Sequence, residues 1–202
     1  KENLSGVKKG DTVKFGFYEQ DNNTSNGKEE IEWIVLDVND NKALVISKYA
    51  LDCQRYNSTL TGVTWEECTL IKWLNDSFLN AAFSSKHQEL IPPTFVSADK
   101  NPEFSTNPGN ATNDKVFLFS IEDVEKYFPL DESRRVELTA YAKAQGAKTS
   151  DESMCWWWLR SPGANQPSAS YIDYDGSVSY RGCSVIESSG SVRPALWINL
   201  DA

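Results

Sequence analysis

Residues 155–163 read CWWWLRSPG, and three consecutive tryptophans constrain the fold more than any other stretch of the chain. A strand alternates its side chains between two faces, so Trp156 and Trp158 share one face and Trp157 takes the other. Each face must then be covered by another layer, or an indole stays open to a ligand. Trp33, Trp65, Trp73 and Trp197 supply further aromatic mass for a core. A buried indole contributes about 1.5–3 kcal/mol or more. The expectation is that two of the three are packed inside and that Trp157 lines a ligand face.

The 202 residues, 40% of them hydrophobic, suffice for such a core within one domain, taken as 1–202 with its core over 10–200. A net charge of −9 argues against a nucleic-acid partner, which needs a basic footprint, and against a polybasic membrane anchor. No apolar run approaches the ~20 residues of a spanning helix, so direct membrane insertion is not expected. The four cysteines include no CxxC pair, which disfavours a structural zinc site. Cys53 and Cys68 form either a bridge or a pair of buried thiols. His87, the single histidine, has no nearby partner for a triad and reads as a surface residue.

Periodicity orders the rest. Alternating apolar residues predict a strand over 11–20, and IEWIVLDV and ALVISKYAL predict two more around the turn NDNK. Thr64 and Glu67 in TWEE predict a capping box opening a helix with Cys68, Ile71, Leu74, Phe78 and Leu79 on one face. SSKHQELI predicts a short helix stopped by Pro92-Pro93, and 97–114 a long polar loop. KVFLFS predicts a buried strand; IEDVEKYF, capped by Ser120, and LTAYAKAQGA, ended by Gly146, predict helices. Asp175-Gly176 predicts a hairpin, and SVRPALWINL one final strand. This is an α+β pattern.

GDTVKFGFYEQD, IEWIVLDV, ALDCQRYN, VTWEECTLIKWLN, TAYAKAQGA, CWWWLRSPG, YIDYDGSVSYRG and VRPALWINL, in that order, closely resemble an uncharacterised domain family of gut and other anaerobic bacteria, domain of unknown function 6273. More distantly, the ending from WWLRSPG to VRPAL resembles that of C-type-lectin-like domains, including formylglycine-generating enzymes and retroelement-diversified variable proteins. That resemblance implies a C-type-lectin-like single domain with its terminal strands paired, two or more helices in the middle and late β-hairpins. It also implies a ligand surface on Tyr171, Asp173, Tyr174, Asp175, Ser177, Ser179, Tyr180 and Arg181.

Those residue types suit recognition. Tyr and Arg join large contact area to a polar tip, and Tyr rings stack on sugar C–H faces while Asp and Arg bond hydroxyls. Arg160 and Arg193 are expected to be structural, each paired with an acid. No cofactor is required. Calcium has two candidate loops: Asp21, Asn23 and Ser25 with Glu32 in an EF-hand-like spacing, and the oxygen-rich loop with Asp99, Asn101, Glu103, Asn107, Asn110, Asn113 and Asp114. An enzyme is not expected. Cys155 and Cys183 are far apart for a copper site of the formylglycine-generating kind, and a nucleophile would need a base that only His87 offers. Paired carboxylates such as Asp173 and Asp175, on one strand face, could serve a glycosidase, but hairpin solubility explains them better. The sequence therefore points to a non-catalytic domain outside the cell or on its surface. It would bind a glycan or protein ligand, either as part of a larger surface protein or as a monomer. The alternative is a structural module of such a protein with no ligand of its own.

Overall fold

The computed structural model describes residues 4–201, and they form a mixed α+β domain built around two sheets. β1 (Thr12–Tyr18), β2 (Glu29–Asn39) and β3 (Lys42–Ser47) form an antiparallel meander. Asp40 and Asn41 both take the left-handed conformation at the β2–β3 turn, the geometry a two-residue hairpin needs. The last strand, β13 (Ala195–Asn199), joins β3, so the order in this first sheet is β1-β2-β3-β13. Contrary to expectation, the terminal strands share a sheet but are not paired with each other. The early hairpin puts two strands between them.

β4 (Asp52–Cys53) leaves this sheet for the second. There follow a 3₁₀ turn (Trp65–Glu67), α1 (Thr69–Trp73), a π-helical turn (Leu74–Phe78), α2 (Leu79–Ala82) and α3 (Ser85–Glu89). The Cys68, Ile71, Leu74, Phe78 and Leu79 stripe is buried as its spacing predicts. The capping box is not formed. Thr64 makes no cap bond, and the Cys68 thiol accepts from the Ile71 N–H instead, at 3.4 Å. Gly109 of the polar loop lies over Thr64, so closely that an added Cβ would fall 2.7 Å from its hydroxyl oxygen.

β5 (Thr94–Val96) and β6 (Thr112–Asp114) bracket the polar loop. Residues 116–120 are buried, but the run 115–120 does not form the expected strand. Phe117 exchanges backbone hydrogen bonds with Ala195 of the first sheet, and the Phe119 carbonyl accepts from Arg160 of the second. A segment divided between two sheets builds a ladder with neither. α4 (Ile121–Tyr127) starts at Ser120 with a full capping box through Asp123. α5 (Asp131–Arg134), β7 (Val136–Glu137), α6 (Ala140–Ala144) and β8 (Met154–Cys155) lead into the tryptophan strand.

The second sheet has the order β11-β10-β9-β12-β4, with β9 (Trp157–Pro162), β10 (Ser168–Ile172), β11 (Val178–Ser184) and β12 (Ser191–Val192). The final apolar run is thus two strands in different sheets, turned at Arg193-Pro194. Proline has no N–H for a ladder, which breaks the run there. One continuous cluster of buried side chains from both sheets and the helices forms the core. Among the described residues no helix is long and apolar enough to cross a membrane.

Candidate functional site

The triplet is mainly core. Trp156 and Trp158 share a face, ring centroids 4.9 Å apart and edge to face, and all three indoles are buried. Trp157 has no exposed surface, and its indole N–H donates to the Arg134 carbonyl at 3.1 Å. Contrary to expectation, it lines no open face. Its side of the strand is sealed by Arg193, whose guanidinium lies 5.0 Å from its ring centroid. Trp158 donates to the Gln54 carbonyl at 2.9 Å. Gly190 presses so close to Trp158 that a Cβ there would sit 2.1 Å from the indole nitrogen.

Trp156 differs. It keeps 6% of its surface exposed, and its indole N–H has no partner among the described residues. It borders a pocket of about 230 Å³ with Tyr171, Asp173, Tyr174, Cys183, Glu187, Ser189 and Lys148. The Tyr171 ring lies 4.9 Å from that of Trp156 at 58°, forming an aromatic corner. Buried indole N–H groups ordinarily find an acceptor; this one, without a protein partner at a pocket wall, is left as a donor to solvent or to a bound molecule.

Charge in this pocket is well defined. Glu187 accepts from the Ser189 hydroxyl at 2.8 Å and from its N–H at 3.3 Å, and these bonds hold its carboxyl below the usual range. Burial raises the pKa of Tyr171 and Tyr174, keeping both phenols as neutral donors, and pushes the Cys183 thiol up to about 12. The pocket thus offers an aromatic corner, phenol and indole donors, carboxylate acceptors and one lysine.

Tyr171, Asp173 and Tyr174 meet here; the other expected residues do not. Asp173 and Asp175 sit in the turn rather than on a strand face, because β10 ends at Ile172. Asp175 accepts from the Ser177 hydroxyl at 2.6 Å and its N–H at 2.9 Å, which lowers its pKa and occupies Ser177. The strand-face placement expected for this pair is therefore not formed. Gly176, at φ +88°, closes the turn against the Asp131 carbonyl with no room for a Cβ. Ser179 stands opposite Tyr171 and accepts from the Gly182 N–H at 3.2 Å. Tyr180 turns away to donate to Glu125 at 2.6 Å, and Arg181 stacks on Phe104 of the polar loop with 5.7 Å to the centroid.

Sequence reasoning missed Lys148, Trp156, Cys183, Glu187 and Ser189. Only Trp156 left a signal there, the shared face with Trp158, which places it beside whichever strand follows.

The cysteines are free thiols, with Cys53 bonding the Ser188 carbonyl and Cys68 the Trp65 carbonyl. Neither calcium spacing gathers as expected. Glu32 pairs with Lys48 at 3.6 Å, Asp99 with Arg160, and Asn101 bonds the Pro162 and Tyr180 carbonyls. Glu19, Asp21 and Glu29 instead bring carboxylate oxygens within 4.8 Å of one another, the single group of this kind among the described residues. Such oxygens suit a hard cation. Here backbone N–H groups of Gln20, Asp21 and Asn23 already bond to them.

Compared with known proteins, the chain matches one family pattern, described as Domain of unknown function (DUF6273), over residues 40–200. Neither a curated protein nor a solved structure matches it. The chain belongs to this DUF6273 family.

Proposed function

We propose that this family member is a non-catalytic recognition domain that binds a glycan or a protein surface in the hairpin pocket. The observation that carries the reading is the unpaired Trp156 N–H beside the half-exposed rings of Tyr171 and Tyr174. A sugar ring would stack on the aromatic corner, its hydroxyls donating to Asp173 and Glu187 and accepting from Trp156 and Lys148. Pocket groups whose pKa moves do so away from neutrality, Glu187 down and the phenols and Cys183 up. General acid–base chemistry wants the opposite. We also propose a C-type-lectin-like relationship. The pairing of the C-terminal strand with the early strand β3 and the late display hairpin support it. A place outside the cell or on its surface fits the acidic, Asn/Ser/Thr-rich composition.

One observation favours the structural-module alternative. Phe95 is 71% exposed and borders a recess with Pro93 and Trp197, a ledge that suits contact with a neighbouring domain.

The test is a glycan and surface-protein array, with and without calcium, using the wild type, Trp156→Phe, a Tyr171→Ala/Tyr174→Ala double variant and Tyr180→Phe, all confirmed to be folded. Trp156→Phe keeps a ring but loses the donor, so binding should weaken about threefold to tenfold. The double variant should lose binding, and Tyr180→Phe should keep it. No binding by the wild type moves the weight to the structural module. Equal binding by all four means that another face is used.

A further inference from the structure

The oxygen-rich loop ends in a feature the hairpin pocket does not use. Asp114 is only 7% exposed, yet it borders a cleft of about 720 Å³ between β6 and the helices. Its Oδ2 accepts from the Trp65 indole at 3.2 Å and the Thr112 hydroxyl at 2.6 Å. Its Oδ1 takes no hydrogen bond from the described residues and is not sealed from solvent, so it opens to the cleft. No lysine or arginine of the described residues lies within ion-pair distance of it. Burial raises its pKa, as expected for a carboxylate short of a cation.

The rest of the cleft is not uniformly acidic. Glu66 enters from the 3₁₀ turn, with Oε1 occupied by the Asn110 amide and Oε2 free. Lys72 on α1 is exposed and makes no ion pair among the described residues, and Lys115 uses one of its protons on the Gln88 carbonyl at 2.9 Å. Ile71, Leu79 and Pro93 supply apolar surface between these charges. Two carboxylates and two ammonium groups around an apolar patch match a ligand carrying both charges and a hydrocarbon side chain.

We propose that this cleft is a second ligand site, separate from the hairpin pocket, for a short zwitterionic peptide with apolar side chains. The peptide's amino terminus docks on Asp114 Oδ1 and Glu66, its carboxylate faces Lys72 and Lys115, and a side chain covers Ile71 and Leu79. An acid pair alone would take any cation. The lysines in the same cleft select ligands with both termini free.

The Trp65 indole N–H reports on the site because it donates to Asp114. It can be followed in a ¹H–¹⁵N correlation spectrum, assigned with Trp65→Phe. Leucyl-leucine should shift it in a saturable way, leucinamide and N-acetyl-leucine should bind at least about tenfold more weakly, and N-acetyl-leucinamide should leave it unmoved. Asp114→Asn keeps an acceptor for Trp65 and Thr112 and should weaken the dipeptide about tenfold or more. If that variant does not fold, exposed Lys72→Gln serves. It should weaken the dipeptide while leaving leucinamide unchanged. Tyr171→Ala should have no effect. The proposal is overturned by the absence of a shift with millimolar dipeptide, by equal binding of the doubly blocked analogue, or by undiminished binding to Asp114→Asn.

Discussion

Arg160 and Arg193 are both buried, 5% and 2% exposed, and their surroundings solve the same problem in opposite ways. Arg160 is saturated. It pairs with Asp123 and Asp99 and donates to the Leu118 carbonyl at 2.8 Å and to the carbonyl and hydroxyl of Ser97, each at 3.1 Å. Asp123 also closes the capping box of α4, so one carboxylate fixes both the strand and the helix. Arg193 has no carboxylate. It lies between the Trp157 and Phe128 rings at 5.0 and 5.4 Å, gives its Nε–H to the Ser47 carbonyl at 2.8 Å, and leaves Nη1 without a partner. Burial lowers its pKa to about 10. Asp52 is the mirror case, a buried carboxylate with no cation, bonded to the Tyr18 hydroxyl, the Cys53 N–H and Gln54. A buried charge can thus be held by an opposite charge or by rings and neutral dipoles, and the two arrangements should fail differently.

The sharpest way to break the contrast is Arg160→Met. It strands two carboxylates and should cost about 3–5 kcal/mol in urea unfolding. Arg193→Met strands no charge, only the Ser47 carbonyl, and removes an unsatisfied group. Its cost should stay within about 2 kcal/mol, and Arg193→Lys, a more strongly hydrated charge without a flat face, should be worse than Met. A larger loss with Met than with Lys would show that the charge itself is needed there. For Asp52 the sign follows from its raised pKa. The folded state holds the proton more tightly than the unfolded chain, so the contribution is full below the unfolded value near 3.9 and is lost as pH rises through the folded pKa. Relative to Asp52→Asn, the wild type should therefore lose stability above about pH 4, at up to about 1.4 kcal/mol per pH unit, until it levels off. The smallest effect is expected at Arg181, which stacks on Phe104 in the open. Arg181→Ala should cost about 0.5–1 kcal/mol, setting the exposed end of the scale on which Arg193 is the buried end.

The early meander was legible because its strands alternate and its turn carries Asp-Asn, both local signals. The helix faces were legible for the same reason. What escaped is non-local. The KVFLFS run reads as a strand, but its partners come from two sheets. Thr64 reads as a cap, but a loop more than forty residues later covers it. The pairing of both arginines with acids was right for Arg160 and wrong for Arg193, since neither sequence position reveals which elements will face it. The hairpin brings Tyr171, Asp173 and Tyr174 to one pocket, while the rest of the expected set lies elsewhere. The choice among three adjacent tryptophans turned on which indole N–H meets a carbonyl. Those carbonyls belong to Arg134 and Gln54, on elements distant in sequence.

The split of the final run at Arg193-Pro194 has a mechanical consequence. β12 is an inner strand of one sheet, holding β4 to β9, and β13 completes the other. Neither sheet has its full set of strands without residues 191–199, and β9 lacks its β12 neighbour until they are in place. Once in place, that segment ties the sheets together like a lace drawn through both. A pull on its end should load the two at once, so that they give way in a single step.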